Sequence, residues 1–331
     1  MKVRSRLLRR GVRYVLLAVL ALFAFMVLNN TNLSVERPPG TPELLAHRGL
    51  AQNFDRTNLT GDTCTAERMA PTAHTYLENT IPSMQAAFDL GADVVEIDVH
   101  PTKDGQFAVF HDWTLDCRTE GHGVTRDHSM VELKALDVGY GYTADGGRTF
   151  PYRGKGEGMM PSLDEVFEAF PDRDFLINVK SGDPQEGSLL AARLAALTPA
   201  QRDRLMVYGN ERPMSELRSR LPDLRVLSKA SIKACLLRYT LYGWTGYVPG
   251  ACRHTFIAVP LNLAPYLWGW PSRFLNRMED VGSRVFVQGD YHGGWSTGVD
   301  TVEDFARLPE GYSAGILTDR VEVIAPLSGR Q

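Results

Sequence analysis

Acidic residues are missing from the first 35 positions of this 331-residue chain. Six basic residues, Lys2, Arg4, Arg6, Arg9, Arg10 and Arg13, occupy that stretch, and an uncharged apolar run from Tyr14 to Leu28 follows them. The rest of the chain holds 30 basic against 39 acidic residues, a net of −9. A body so short of positive charge excludes nucleic acid as a partner, because binding to a phosphate backbone is driven by basic patches. It also means that an anionic substrate must find cations gathered locally. Cysteine is scarce. The four, Cys64, Cys117, Cys235 and Cys252, contain no Cys-x-x-Cys spacing, which argues against structural zinc. No internal repeat and no second core-sized domain are visible, so one large domain accounts for the body.

The apolar run is 15 residues long. A spanning helix needs about 20, and 15 also suits the apolar core of a signal peptide. Asn29 to Ser34 offers no small-x-small cleavage site, so an uncleaved signal anchor is favoured. Arg13 can snorkel and lengthen the span. The positive-inside rule keeps residues 1–13 as a cytoplasmic tail and places the body on the periplasmic or extracellular side. The expected order is tail 1–13, transmembrane anchor 14–28, linker 29–43 ending in Pro38-Pro39-Gly40, and a domain over 44–331. An exported body should pair its cysteines. The expected pairs are Cys64–Cys117, from two loops on one face, and Cys235–Cys252, which bracket one short segment.

Nine strand candidates follow: 44–47, 93–99, 106–110, 174–180, 205–209, 225–229, 256–261, 284–288 and 314–318. Helical stretches at about 82–91, 162–170, 185–197, 212–221 and 301–308 alternate with several of them. Such alternation implies a parallel sheet with crossover helices, here a TIM-type (β/α)8 barrel with loop insertions. One strand is surplus to eight and should be accessory. Residues 50–77 and 112–161 read as long excursions at the barrel mouth. The segment 231–275 gathers Trp244, Trp268, Trp270 and several tyrosines and leucines. It reads either as an ordinary barrel helix with its packing or as an apolar rim facing lipid or an acyl chain.

The chemistry concentrates at strand ends. Glu96 and Asp98, two residues apart, project from one face of one strand. Burying two acids side by side is costly unless a cation joins them, and a hard divalent ion takes oxygen ligands. A second apolar run ends in His111-Asp112, and an earlier one, Leu44-Leu45-Ala46, ends in His47-Arg48-Gly49. Two histidines can share acid and base work on an ester, and the fork of Arg48 suits a phosphate.

Taken together, AHRG at 46–49, ENT at 78–80, EIDVHPTKDGQFAVFHD at 96–112 and TDR at 318–320 resemble the glycerophosphodiester phosphodiesterase family, from Leu44 to about Ala325. The resemblance implies a β/α barrel, a Ca²⁺ or Mg²⁺ cofactor, and metal-dependent hydrolysis of glycerophosphodiesters to glycerol 3-phosphate and an alcohol. By the same resemblance His47 and His111 are the acid/base pair, Arg48 and Lys180 contact phosphate, Glu96 and Asp98 are metal ligands, and Glu78 is a further active-site acid, counted with the metal ligands. The family's third ligand is usually glutamate, but Asn178 stands there, a neutral donor. Two other readings are a lysophospholipase D-like activity on monoacylated lipids and a catalytically weak envelope binding protein. The partners implied are a small-molecule substrate and the membrane.

Overall fold

The computed structural model describes residues 2–33, 35, 40–60, 63–71, 74–293 and 297–330, with residues 2–9 as backbone alone. Pro38-Pro39 of the expected linker lies outside the described residues.

All nine strand candidates form strands: β1 (Glu43–His47), β2 (Val94–Pro101), β3 (Phe107–Val109), β4 (Asp174–Val179), β5 (Leu205–Gly209), β6 (Arg225–Ser228), β7 (Phe256–Pro260), β8 (Arg284–Gln288) and β9 (Gly315–Thr318). Eight of them run parallel in the order β6-β5-β4-β2-β1-β9-β8-β7. The surplus strand is β3, which folds back antiparallel on β2 through the Asp104-Gly105 turn. At the seam between β6 and β7, the Thr255 hydroxyl donates to the Val226 carbonyl at 2.9 Å. The result is a nearly closed (β/α)8 barrel.

Alternation along the strands sorts the side chains. One set, including Val95, Ile97, Phe175 and Ile177, packs outward against the helices. The other set points inward, where Leu45, Val94, Leu176, Met206, Leu227, Phe256 and Phe286 form an apolar plug. Gly315 is required there, because a Cβ would come within 2.2 Å of the Phe286 ring. Helix starts follow local signals. Thr80 caps the helix Ile81–Asp89 through the Ser83 amide, and Ser162 with Glu165 closes a capping box on Leu163–Ala169.

The long excursions 50–77 and 112–161 pack on each other. Ala66, Met69, Leu115, Leu133, Val138, Tyr142, Tyr152 and Met160 form a satellite core against Ala108 and Phe110. Both expected disulfides form, Cys64–Cys117 and Cys235–Cys252, with Cα separations of 5.5 and 4.9 Å. The aromatic segment serves two purposes. Tyr239, Leu267 and Phe274 are buried, whereas Leu237, Leu241, Tyr242, Tyr247 and Tyr266 are exposed.

The N-terminal helix is longer than its apolar core. It runs Lys2–Asn30, because the Arg- and Leu-rich tail continues it with good helix formers. Residues Arg10–Asn30 are apolar enough to cross a membrane, and 21 residues span about 32 Å.

Candidate active site

The inward parity that places Val94 in the plug also points Glu96 and Asp98 up the barrel axis, toward the C-terminal ends of the strands. Parallel register sets His47 of β1 beside Glu96, and Asp98 beside Asn178 of β4. Lys180 follows β4 directly. The structure therefore brings together His47, Arg48, Glu78, Glu96, Asp98, Asn178 and Lys180.

Asp98 is the hub and is wholly buried. Its Oδ1 accepts from Asn178 Nδ2 at 2.8 Å and Lys180 Nζ at 3.3 Å. Its Oδ2 accepts from Asn79 Nδ2 at 3.0 Å and lies 3.2 Å from Arg48 Nε. Burial disfavours the charge, but Lys180 and Arg48 outweigh it and hold the carboxyl well below its usual range. Glu96 is the opposite case. Its Oε1 accepts from the Tyr208 hydroxyl at 2.8 Å, while its Oε2 is buried without a hydrogen-bond partner, 3.7 Å from His47 Nε2. Burial, and then Asp98, push its pKa up to about 7. Arg48 and Asn79 hold these contacts from left-handed backbone, at φ 60° and 58°. Such conformations are costly for non-glycine residues and persist only when the surroundings fix them.

Both histidines are held by carboxylates. His47 Nδ1 lies 2.5 Å from Asp319 Oδ1, and His111 Nδ1 lies 2.6 Å from Asp112 Oδ1. Pairing through Nδ1 leaves each Nε2 for other work. Their environments differ. Burial and Arg48 act to lower the His47 pKa, but Asp319 and Glu96 prevail and raise it. For His111, burial and Arg48 prevail and lower it to about 4.

Glu78, expected with the metal ligands, lies between two arginines. Its Oε1 is 3.1 Å from Arg48 Nη1 and its Oε2 is 3.1 Å from Arg118 Nη2. Arg118, only 2% exposed, also donates to Asp112 Oδ2 at 3.0 Å and to Thr65 Oγ1 at 2.7 Å. Arg118, Asp112, Asp319, Asn79 and Tyr208 were not singled out from the sequence. Asp112, Asn79 and Asp319 lie inside the quoted motifs, and Arg118 adjoins Cys117, so motif membership and the disulfide were the available signals. Arg56 donates to the other oxygen of Asp319 at 2.6 Å.

Among the described residues, no three Asp, Glu, His or Cys side chains converge to hold an ion. The residues suit a hard cation in a narrower way. Glu96 Oε2 is unpartnered, Asp98 follows two residues on along the same strand, and Asn178 beside it adds an amide. Such a set is one charged ligand short of three carboxylates.

The model of the Glycerophosphoryl diester phosphodiesterase family matches residues 47–198. A glycerophosphodiester phosphodiesterase of Caldanaerobacter subterraneus subsp. tengcongensis is 45% identical over 107 residues, which are 32% of this chain and 40% of that protein. Human lysophospholipase D GDPD1 is 34% identical over 139 residues, 40% of this chain and 41% of that protein. The chain thus spans about two fifths of the length of these curated relatives. Among solved structures, the glycerophosphoryl diester phosphodiesterase domain of an uncharacterized Mycobacterium tuberculosis protein superposes with a TM-score of 0.61 at 19% identity, over 86% of this chain and 98% of that one. An Oleispira antarctica phosphodiesterase in complex with the product sn-glycerol-3-phosphate gives 0.53 at 17% identity, over 87% and 97%. At such identities the superpositions establish the fold.

Proposed function

We propose that the chain is a member of the glycerophosphoryl diester phosphodiesterase family, whose model matches residues 47–198, and that it hydrolyses glycerophosphodiesters to glycerol 3-phosphate and an alcohol. The observation that carries this reading is the arrangement around Asp98. Arg48 and Lys180 converge on one buried carboxylate at the mouth of the barrel, and two carboxylate-held histidines flank them. Cations so placed can turn to a phosphodiester and neutralise its charge.

His111, neutral at ordinary pH because burial and Arg48 disfavour its cation, takes the proton from the attacking water. His47, whose imidazolium is favoured by Asp319 and Glu96, gives a proton to the departing oxygen. Groups whose environments push their pKa values apart divide the acid and base work. Asp112 and Asp319 orient the two rings. Glu96 and Asp98, with the neutral Asn178, would hold a Ca²⁺ or Mg²⁺ ion. When bound, such an ion supplies Lewis-acid polarisation of the phosphoryl oxygen.

The helix Lys2–Asn30 reads as a membrane anchor, with the barrel on the periplasmic or extracellular side. The two disulfides support that side, since they persist in oxidising compartments. A second reading, lysophospholipase D-like cleavage of monoacylated lipids, is favoured by the similarity to the human protein of that name. Product-resolved turnover of deacylated and monoacylated diesters, with and without a chelator, tests both. Release of glycerol 3-phosphate from deacylated substrates supports the first reading. Turnover of monoacylated substrates alone moves the assignment to the second.

A further inference from the structure

From Leu224 to Met278 the chain contains no acidic residue and seven lysines and arginines, within a body that is otherwise net acidic. The helix Lys229–Tyr242 crosses this segment. It buries Cys235 and Tyr239 and turns Leu237, Leu241 and Tyr242 outward, each more than half exposed. Lys233, Leu237 and Leu241 follow one another at four-residue spacing and form one stripe, with Arg238 beside it. The stripe is basic at its start and apolar at its end. Tyr247, 55% exposed, continues the apolar end.

That apolar end is where the N-terminal helix meets the barrel. Asn29 and Asn30 each donate to the Trp244 carbonyl at 2.9 Å. Arg277 donates to the Asn29 carbonyl at 2.7 Å and to Asn30 Oδ1 at 3.1 Å. Asn32 donates to the Trp270 carbonyl at 2.6 Å, and Phe25 meets Trp244 edge to face. The last turn of the long helix is thus hydrogen-bonded to the barrel directly. A spanning helix leaves its end at the headgroup plane, so whatever flanks Trp244 lies at that depth. Exposed tyrosine and leucine suit the interface, and lysine and arginine suit anionic headgroups.

We propose that the outward face of Lys229–Tyr242, with Tyr247, seats the barrel on an anionic bilayer surface, so that the body rests on the membrane in one orientation. This rests on the reading of Lys2–Asn30 as a membrane anchor. The helix leaves the C-terminal end of β6 and runs away from the catalytic mouth, so the seat lies toward the opposite end of the barrel and the mouth opens toward water.

The test uses the full chain reconstituted in vesicles of phosphatidylcholine with phosphatidylglycerol, each variant carrying one environment-sensitive fluorophore. The label sits at Leu241→Cys, at Leu20→Cys in the anchor, or at Val131→Cys, an exposed position outside the acid-free segment. Lipids carrying a quencher at headgroup depth should quench Leu241 several-fold more than Val131. Lys233→Glu with Arg238→Glu should cut the Leu241 quenching several-fold while turnover of a soluble diester stays unchanged. A quencher deep in the acyl chains should reach Leu20. Quenching at Leu20 with none at Leu241 overturns the seat and leaves the anchor standing. No quenching at Leu20 removes the anchor, and the seat with it. A Leu241 label shielded from lipid but crosslinking to a second copy would assign the face to self-association and overturn the proposal.

Discussion

At the scale of single residues, the account turns on which carboxylates neutralise cations and which are left over. Glu78 spans Arg48 and Arg118. Glu78→Ala should therefore destabilise the fold by roughly 3–5 kcal/mol, the usual cost of breaking a buried ion pair, read by denaturant unfolding. A purely metal-binding role would predict little change without metal. Asn178 donates to Asp98 Oδ1. In Asn178→Glu that donor becomes a third, partly buried carboxylate beside Asp98, so the variant should melt lower than the parent in EDTA, and Ca²⁺ or Mg²⁺ should recover much of the loss. Equal melting with and without the ion would remove Asn178 from the neighbourhood of a cation. His47→Ala and His111→Ala should each lower kcat by roughly two to four powers of ten. A substrate with a leaving group of low pKa should rescue His47→Ala and not His111→Ala, since only the departing oxygen then needs no proton. Rescue of the other variant would exchange the roles. A base must be unprotonated to act, and the His111 pKa is lowered to about 4. The acid limb attributable to His111 should therefore lie near pH 4, below the ordinary histidine range. Much of this was legible, because His47, Arg48, His111, Asn178 and Lys180 stand at or just past strand ends and Glu96 and Asp98 share one face of β2. Their partners were harder to read. Asp319 meets His47 across 272 residues, and Tyr208 meets Glu96 across 112. Alternation places a side chain on a face but does not say what it meets there.

At the scale of elements, the count of nine strands was readable, and so was the need for one to be accessory. Which one it was depended on the Asp104-Gly105 turn, whose Gly105 takes φ 78° and folds β3 back on β2. The extent of the N-terminal helix was underread, because hydropathy marks the apolar core and not the helix-forming basic tail. The excursions 50–77 and 112–161 were legible as long loops but not as a satellite core. The Cys64–Cys117 bridge ties them together at the position where Thr65 and Arg118 bond. In the chain-entropy account, this loop and the shorter Cys235–Cys252 loop contribute about 4 and about 3 kcal/mol respectively. Replacing either pair with serine should lower Tm. Only Cys64→Ser with Cys117→Ser should also lower kcat at temperatures where the protein stays folded, because Arg118 holds Glu78 and Asp112. Equal kcat losses from both pairs would mean that the bridge acts on stability alone.

At the scale of the whole molecule, a net-acidic barrel gathers its cations at the mouth and along one acid-free segment, and a long apolar helix is bonded to its flank. A reporter fused after Gln331 should be active only on the non-cytoplasmic side. Cytoplasmic activity would reverse the orientation and remove the reason for the disulfides. The central claim is that the histidines and cations at the mouth direct water onto the phosphorus of a glycerophosphodiester. Turnover of a deacylated diester in water enriched in heavy oxygen, with the products resolved by mass spectrometry, tests it most directly. The account predicts that the heavy atom appears in glycerol 3-phosphate and not in the released alcohol. Heavy oxygen in the alcohol, or no turnover of any deacylated diester with Ca²⁺ or Mg²⁺ supplied, would contradict it.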